Sequence, residues 1–256
     1  MRTDRFTHHV VALPFALVAC LFVQGCVGQP DGPSAATDAA PKVVLIVGDG
    51  MDDQQITIAR NYLVGSGGRL TLDALPFRGA VQVQTVDEDD PRQPVYVADS
   101  ANTATTMATG ELTSAGRIAT TVGTGHGIVT IMELARAAGL RTGIVTTSSL
   151  TDATPAAFVA HVDQRYCQGP ADIAQGVELP ERFIDCSSDS KSSGGRGSIA
   201  EQIAESGVDI LLGGGTQYFD QSVEGSTSTT VADAALANGM ECVGLVQERG
   251  GLRANE

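Results

Sequence analysis

The chain has 256 residues, enough to bury a core as one large domain or two small ones, on a prior of roughly 100–200 residues per domain. Hydrophobic residues make up 42% and charged residues 18%, with 30 glycines, a composition that excludes collagen-like, coiled-coil and fully disordered chains. Lys and Arg number 16 against 30 Asp and Glu, a formal net charge of −14 that repels a polyphosphate backbone and argues against nucleic acid as a partner.

The first segment reads as an export signal. Arg2 and Arg5 precede an apolar run from Val10 to Val23 that is too short, and too closely followed by polar residues, for a membrane span. Residues 1–25 are therefore assigned to a signal peptide. Gly25-Cys26 suggests bacterial lipoprotein processing with Cys26 as the lipidated first residue. Two alternatives stay open, lipidation at Cys20 and ordinary cleavage without lipid. Residues 26–41, rich in Pro, Gly, Ala and Ser, suit a tether behind a lipid anchor. The expected location is exported and periplasmic, with membrane contact only through that anchor. In an exported chain disulfides can persist, so Cys167 and Cys186 can pair across a polar excursion, leaving Cys242 over.

Residues 42–256 carry the globular pattern. Lys42 to Val47 is a β-branched run ending at Gly48, the pattern of a strand buried on both faces. Asp52 to Leu63 has helical spacing, with Asp52 and Asp53 as cap and first-turn acid. Thr85 to Pro94 is acidic and reads as a surface loop. Ile128, Ile131, Met132, Ala135 and Ala138 predict a helix that Gly139 can end, and Gly143 to Thr147 a strand. Gln168 to Gly197 is a long polar insertion, Ile199 to Ser206 a helix and Val208 to Leu212 a strand before Gly213-Gly214-Gly215. Strands alternating with helices predict an α/β fold around a largely parallel sheet covered on both faces, with ligands at the carboxyl ends of the strands.

Three constellations carry candidate chemistry. Asp49, between Gly48 and Gly50 after the first predicted strand, suits a metal ligand, the alternative being a cap for the following helix. Asp99-Ser100-Ala101-Asn102 places Ser100 at a helix start, where free N–H groups and the positive dipole end hold an anion; an ordinary N-cap is the alternative. A metal would raise the interest of Ser100. Coordination lowers the pKa of a bound water from about 15.7 to about 7, and a coordinated serine likewise becomes an alkoxide without a histidine base. Thr151-Asp152-Ala153-Thr154-Pro155 predicts a helix capped by Thr154 with Pro155 first, and Arg165 about three turns on, where its fork would match phosphate oxygens. A capped surface helix with a solvated arginine is the alternative there. His161 is given no role.

The order VLIVGDGM, DSANTATTMATG, TDATPAAFVAHVDQR resembles the alkaline phosphatase family, as do Arg60-Asn61-Tyr62, Leu72-Asp73-Ala74-Leu75-Pro76 and Leu211 to Gly215. The resemblance implies a three-layer α/β sandwich and hydrolysis of small phosphomonoesters through a phosphoserine, with Zn2+ and Mg2+ as cofactors and a homodimer as the assembly. It implies Ser100 as nucleophile and metal-bound residue, Asp49 as a carboxylate shared by one zinc and the magnesium, Thr154 as a magnesium ligand and Asp152 as a residue reaching that ion at one remove. It further implies Arg165 as the phosphate clamp and supports the Cys167–Cys186 disulfide. Asp52 departs from the family pattern, which has Gly there.

Family members complete their metal sites with further His, Asp and Glu residues, whereas this sequence holds no histidine after Arg165. The expectation is thus a partial catalytic domain over 42–256, truncated or frameshifted, with the nucleophile but not the remaining ligands. The main rival is a non-catalytic exported phosphate-binding or scaffold lipoprotein using Ser100 and Arg165 without turnover. A phosphodiesterase or sulfatase is a rival within the wider fold, and a nucleotide-binding module read from Gly213-Gly214-Gly215 lacks a phosphate-loop lysine.

Overall fold

The computed structural model describes residues 42–241. The chain divides into two units, Met1–Val47 and Gly48–Glu256. The signal segment, Cys20, Cys26, the tether and Cys242 lie outside the described residues. In the first unit, 42–47 forms no strand, and Val43, Val44 and Ile46 are 80–89% exposed, against the expected buried strand. β-branched residues favour a strand only where a neighbour supplies the ladder and the cover.

The second unit opens with helix α1 (Asp53–Val64). Its N-cap is Asp52, whose side chain accepts from Gln54 and Gln55 N–H while the Gln55 side chain reaches back, the reciprocal pattern of a capping box. Arg60 on this helix forms a two-pronged ion pair with Asp73 at 2.6–2.8 Å, which holds the Asp73 carboxyl well below the usual carboxylate range. The acidic stretch after it is more than a loop. Strands β1 (Thr85–Val86) and β2 (Pro94–Val95) pair antiparallel across it, and Thr85 is buried.

Helix α2 (Ser100–Thr109) buries Ala101, Asn102, Ala104, Thr105 and Ala108, small residues that admit close neighbours. The predicted helix at Ile128 begins later, as α3 (Ile131–Ala137), because Thr130 caps it with Glu133. Strand β3 (Gly143–Ser149) follows as expected. The Asp152 cap starts α4, which is a single turn (Ala153–Ala156) and not the expected three. The chain leaves it to bridge Val162 to Ile118, so Arg165 is carried by the turn that follows and not by a helix. The polar insertion is structured: helix α5 (Pro170–Gln175) precedes an antiparallel hairpin of β4 (Val177–Leu179) and β5 (Arg182–Ile184). A disulfide joins Cys167 to Cys186 just beyond it.

Helix α6 (Ile199–Glu205), capped by Ser198, leads to β6 (Ile210–Gly214), which pairs parallel with β3. Helices α7 (Thr216–Phe219) and α8 (Val231–Ala237) complete the described chain. The α/β character is thus present. Ile144 of β3 and partly buried Leu211 of β6 pack with Ile118, Val162, Ile199 and Ile203 into the main core. α8 lies against α6 through Ala200, Ala204, Val231 and Ala235. On the opposite face of the strand pair, Val145, Ile210 and Leu212 are 75%, 56% and 54% exposed.

The disulfide closes a loop of sequence separation 19 around α5 and the hairpin. Replacing both Cys167 and Cys186 by alanine is expected to lower unfolding free energy by about 3 kcal/mol, through a more expanded unfolded chain. Urea denaturation of the oxidised protein and the double variant measures it.

Candidate active site

Ser100 is the first residue of α2. The preceding Asp99 is its N-cap, accepting the Asn102 N–H at 3.0 Å through Oδ1, while Asn102 Oδ1 accepts the Asp99 N–H at 2.9 Å. This reciprocal cap fixes Ser100 at the helix start, where N–H groups lack intrahelical partners and the dipole is positive. Asn102 is itself buried, its amide donating to Thr85 Oγ1, which ties the helix start to β1.

Arg165 reaches this point from the loop after Val162. Its backbone N–H donates to Gly116 O at 2.7 Å, and Gly116, at φ +88°, presents its own N–H to Asp99 Oδ2 at 3.2 Å. A side chain at Gly116 would be strained by that φ and would collide with Gln164. From this seat the guanidinium spreads over three groups. Nη1 donates to Ser100 Oγ at 3.2 Å and lies 3.4 Å from Asp99 Oδ2, while Nη2 donates to Asp152 Oδ1 at 2.9 Å. The Arg165 side chain is 21% exposed, so it is shielded by its neighbours yet reachable from solvent.

Asp152 has a second task, capping α4 by accepting the Ala153 N–H at 2.8 Å. The capping expected of Thr154 therefore belongs to Asp152, because the helix begins at Ala153, two residues earlier than Pro155 at its first position would require. Thr154 is freed to donate from Oγ1 to Asp49 Oδ2 at 3.0 Å. Asp49 does not cap α1, since Asp52 does. The five predicted residues thus form two linked sets, Ser100–Arg165–Asp152 and Asp49–Thr154, joined through the short α4.

Asp49 and Thr154 bring two oxygen donors together, a beginning for a hard dication. Among the described residues, however, no group of three or more His, Cys, Asp or Glu side chains is placed to hold a metal. The residues at hand do not by themselves fit a closed zinc or magnesium site. His161 is buried, with Nδ1 at 2.9 Å from Ala119 O and Nε2 at 3.0 Å from Glu133 Oε1.

A second charged network, not anticipated from sequence, supports the arginine's segment. Buried Arg117 pairs with Glu88 and, at 2.5 Å, with Asp163, two residues before Arg165. The Asp163 N–H in turn faces both oxygens of buried Asp189 at 3.2 Å. Burial first, and then the nearby Asp163 charge, push the Asp189 carboxyl up to about 7. These partners lie 26 to 46 residues apart in sequence, and no local spacing connects them.

A hydroxyl at a helix start held beside an arginine fork, on an α/β scaffold, is an arrangement that can hold an oxyanion. The chain belongs to the alkaline phosphatase family, whose profile matches residues 40–250. It is 46% identical over 217 residues to streptomycin-6-phosphate phosphatase of Streptomyces griseus, covering 84% of this chain and 45% of that protein. It is 38% identical over 213 residues to alkaline phosphatase of Escherichia coli (strain K12), covering 82% of this chain and 43% of that one. Among solved structures, Thermus thermophilus alkaline phosphatase is similar with a TM-score of 0.54 and 25% identity, over 75% of this chain and 34% of that one. The chain spans less than half the length of the curated relatives it matches.

A carboxyl with a raised folded pKa holds its proton more tightly in the folded than in the unfolded chain. The contribution of Asp189 is therefore full below 3.8, is lost as pH rises towards about 7, and is constant beyond. Asp189→Asn should flatten that part of the stability profile, measured as urea midpoints across the interval, and leave the limb below it unchanged.

Proposed function

We propose that this chain carries the nucleophile-bearing part of a metal-dependent phosphomonoester hydrolase. The observation that carries the reading is the 3.2 Å contact between Arg165 Nη1 and Ser100 Oγ at the start of α2. In this reading the Arg165 fork turns from Ser100 and Asp152 to two oxygens of a bound phosphate. Ser100 Oγ attacks phosphorus in line, forming a P–O bond as the alcohol leaves, and water later releases the phosphate from the serine. The guanidinium beside Oγ favours the alkoxide and offsets charge on the transferring group. Asp152 and Asp99 act as positioning residues that hold Arg165 within reach of Ser100.

Zinc and magnesium belong to the proposal as the ions the family resemblance implies. Asp49 and Thr154, with Ser100 and with Asp152 at one remove, are the residues this chain would offer them. Small phosphate monoesters are the proposed substrates; the Streptomyces griseus relative is named for one such ester of streptomycin. Export through residues 1–25, lipidation at Cys26, a tether over 26–41, a catalytic region over 42–256 and a homodimer complete the proposal.

The test is release of nitrophenol from nitrophenyl phosphate by the purified chain supplied with zinc and magnesium. Ser100→Ala is expected to abolish turnover, and Arg165→Ala to lower kcat/KM by about 100- to 1,000-fold, as loss of an oxyanion-stabilising donor does. Chelation should abolish activity as well. Binding of inorganic phosphate by a chain that shows no turnover under any of these conditions would favour the non-catalytic phosphate-binding reading.

A further inference from the structure

Arg165 opens a turn that ends at Gln168. Within it the Cys167 N–H donates to Gln164 O at 3.0 Å and the Gln168 N–H to Tyr166 O at 2.9 Å. The near end of the turn is seated by the Arg165 N–H on Gly116 O. At the far end Cys167 O and Gln168 O accept the N–H groups of Ile199 and Ala200 at 3.1 and 2.9 Å. Those are the first N–H groups of α6, which have no partner inside their own helix.

The chain leaving β3 meets this turn with two consecutive residues. Asp152 Oδ1 accepts from Arg165 Nη2 at 2.9 Å, and the hydroxyl of Thr151, a wholly buried residue, donates to Gln168 Oε1 at 2.7 Å. A hydroxyl has one proton to give. Since that of Thr151 goes to Gln168, the Thr151 oxygen is the acceptor in its 2.7 Å contact with Ser149 Oγ, and donation runs from Ser149 to Thr151 to Gln168. Gly213-Gly214-Gly215, which take no part in the proposed chemistry, lie beside this chain of hydroxyls. Gly214 pairs with Ser149, and its carbonyl accepts the Leu150 N–H at 3.0 Å. A side chain at Gly215, where φ is +101°, would be strained and would collide with Ser149 Oγ. Glycine there leaves the Ser149 hydroxyl its place beside Thr151.

We propose that Thr151 and Gln168 are positioning residues for Arg165, a proposal that rests on the reading of that arginine as the residue that holds phosphate. The Thr151–Gln168 and Asp152–Arg165 bonds are two adjacent rungs between the end of β3 and the turn from Arg165 to Gln168. With the Asp152 rung alone, the turn can pivot about the guanidinium. With both, its distance and its rotation are fixed, and Nη1 stays in reach of Ser100 Oγ. The Thr151 rung is buried, so water does not replace it once it is lost. Thr151 and Gln168 act on the site through Arg165.

Amide exchange of the full chain, resolved by NMR, tests the assignment together with calorimetric binding of inorganic phosphate in the presence of zinc and magnesium. Thr151→Val removes the hydroxyl and keeps the volume. It is expected to speed exchange of the Arg165 and Gln168 amides by about tenfold and to weaken phosphate binding by a similar factor, the effect of one net hydrogen bond. Exchange in β3, β6 and α6 should stay at the wild-type rate, because the opening is local. Thr151→Ser, which keeps the hydroxyl, should recover both readouts to within about twofold. Gln168→Met, at a half-buried position, tests the same bond without altering the core. It should match Thr151→Val, and the double variant should be no worse than either, since the two side chains make one contact. Wild-type exchange of Arg165 in both single variants would overturn the proposal. Exchange raised equally across β3, β6 and α6 would overturn it too, as would additive effects in the double variant. A wild-type chain that binds no phosphate would remove the phosphate-holding reading of Arg165, whereas the exchange pattern decides independently whether the Thr151 rung holds its turn.

Discussion

The arrangement of the candidate site depends on one guanidinium. Arg165 touches the Ser100 hydroxyl and the carboxylates of Asp99 and Asp152, and each contact ties together parts of the chain distant in sequence. Two of those partners are also helix caps, so the same carboxylates that start α2 and α4 hold the arginine. A fork with two donor edges can serve both caps at once, which a lysine, as a single point charge, cannot do. The local folding of two helices and the geometry of the site are in this way one constraint.

Around that arginine the protein is polar but braced. Its segment is held on one side by Gly116, whose left-handed backbone lets the chain pass close to Asp99 and Gln164. On the other side it is held by Arg117, Asp163 and Asp189, and further back by the Cys167–Cys186 bridge. The ionisable Asp189 sits in this bracing and not in the site itself. Its effect on stability with pH is thus separable from any effect on the chemistry at Ser100. The apolar core beneath includes the alanines of α2 and α4, which let those two short helices approach closely.

Several elements were legible because their determinants are local. The cap of α1 and the helix start at Ser100 follow from contacts two or three residues apart, and the strand at Gly143 from its run of β-branched residues. The misread segments are those in which a distant partner, found or missing, decides against local preference. Lys42 to Val47 has strand composition without strand structure. Ala157 to Arg165 has residues that tolerate a helix but passes through turns on either side of the bridge of Val162 to Ile118. The acidic stretch after Thr85 becomes a hairpin because Thr85 and Val86 find Val95 and Pro94.

The site roles of Asp49, Ser100, Asp152, Thr154 and Arg165 are what the family resemblance implies; by itself the amino-acid sequence determined the helix start under Ser100 and the alternation of helix and strand. It could do so because capping and periodicity act over a single turn. Only the tertiary structure decided that Arg165 meets Ser100 across 65 residues, that Thr154 meets Asp49 across 105, and that Asp152 and not Thr154 caps α4. The segment that carries Arg165 is held by the bridge of Val162 to Ile118, and side-chain pairs so far apart have no spacing that a sequence can display.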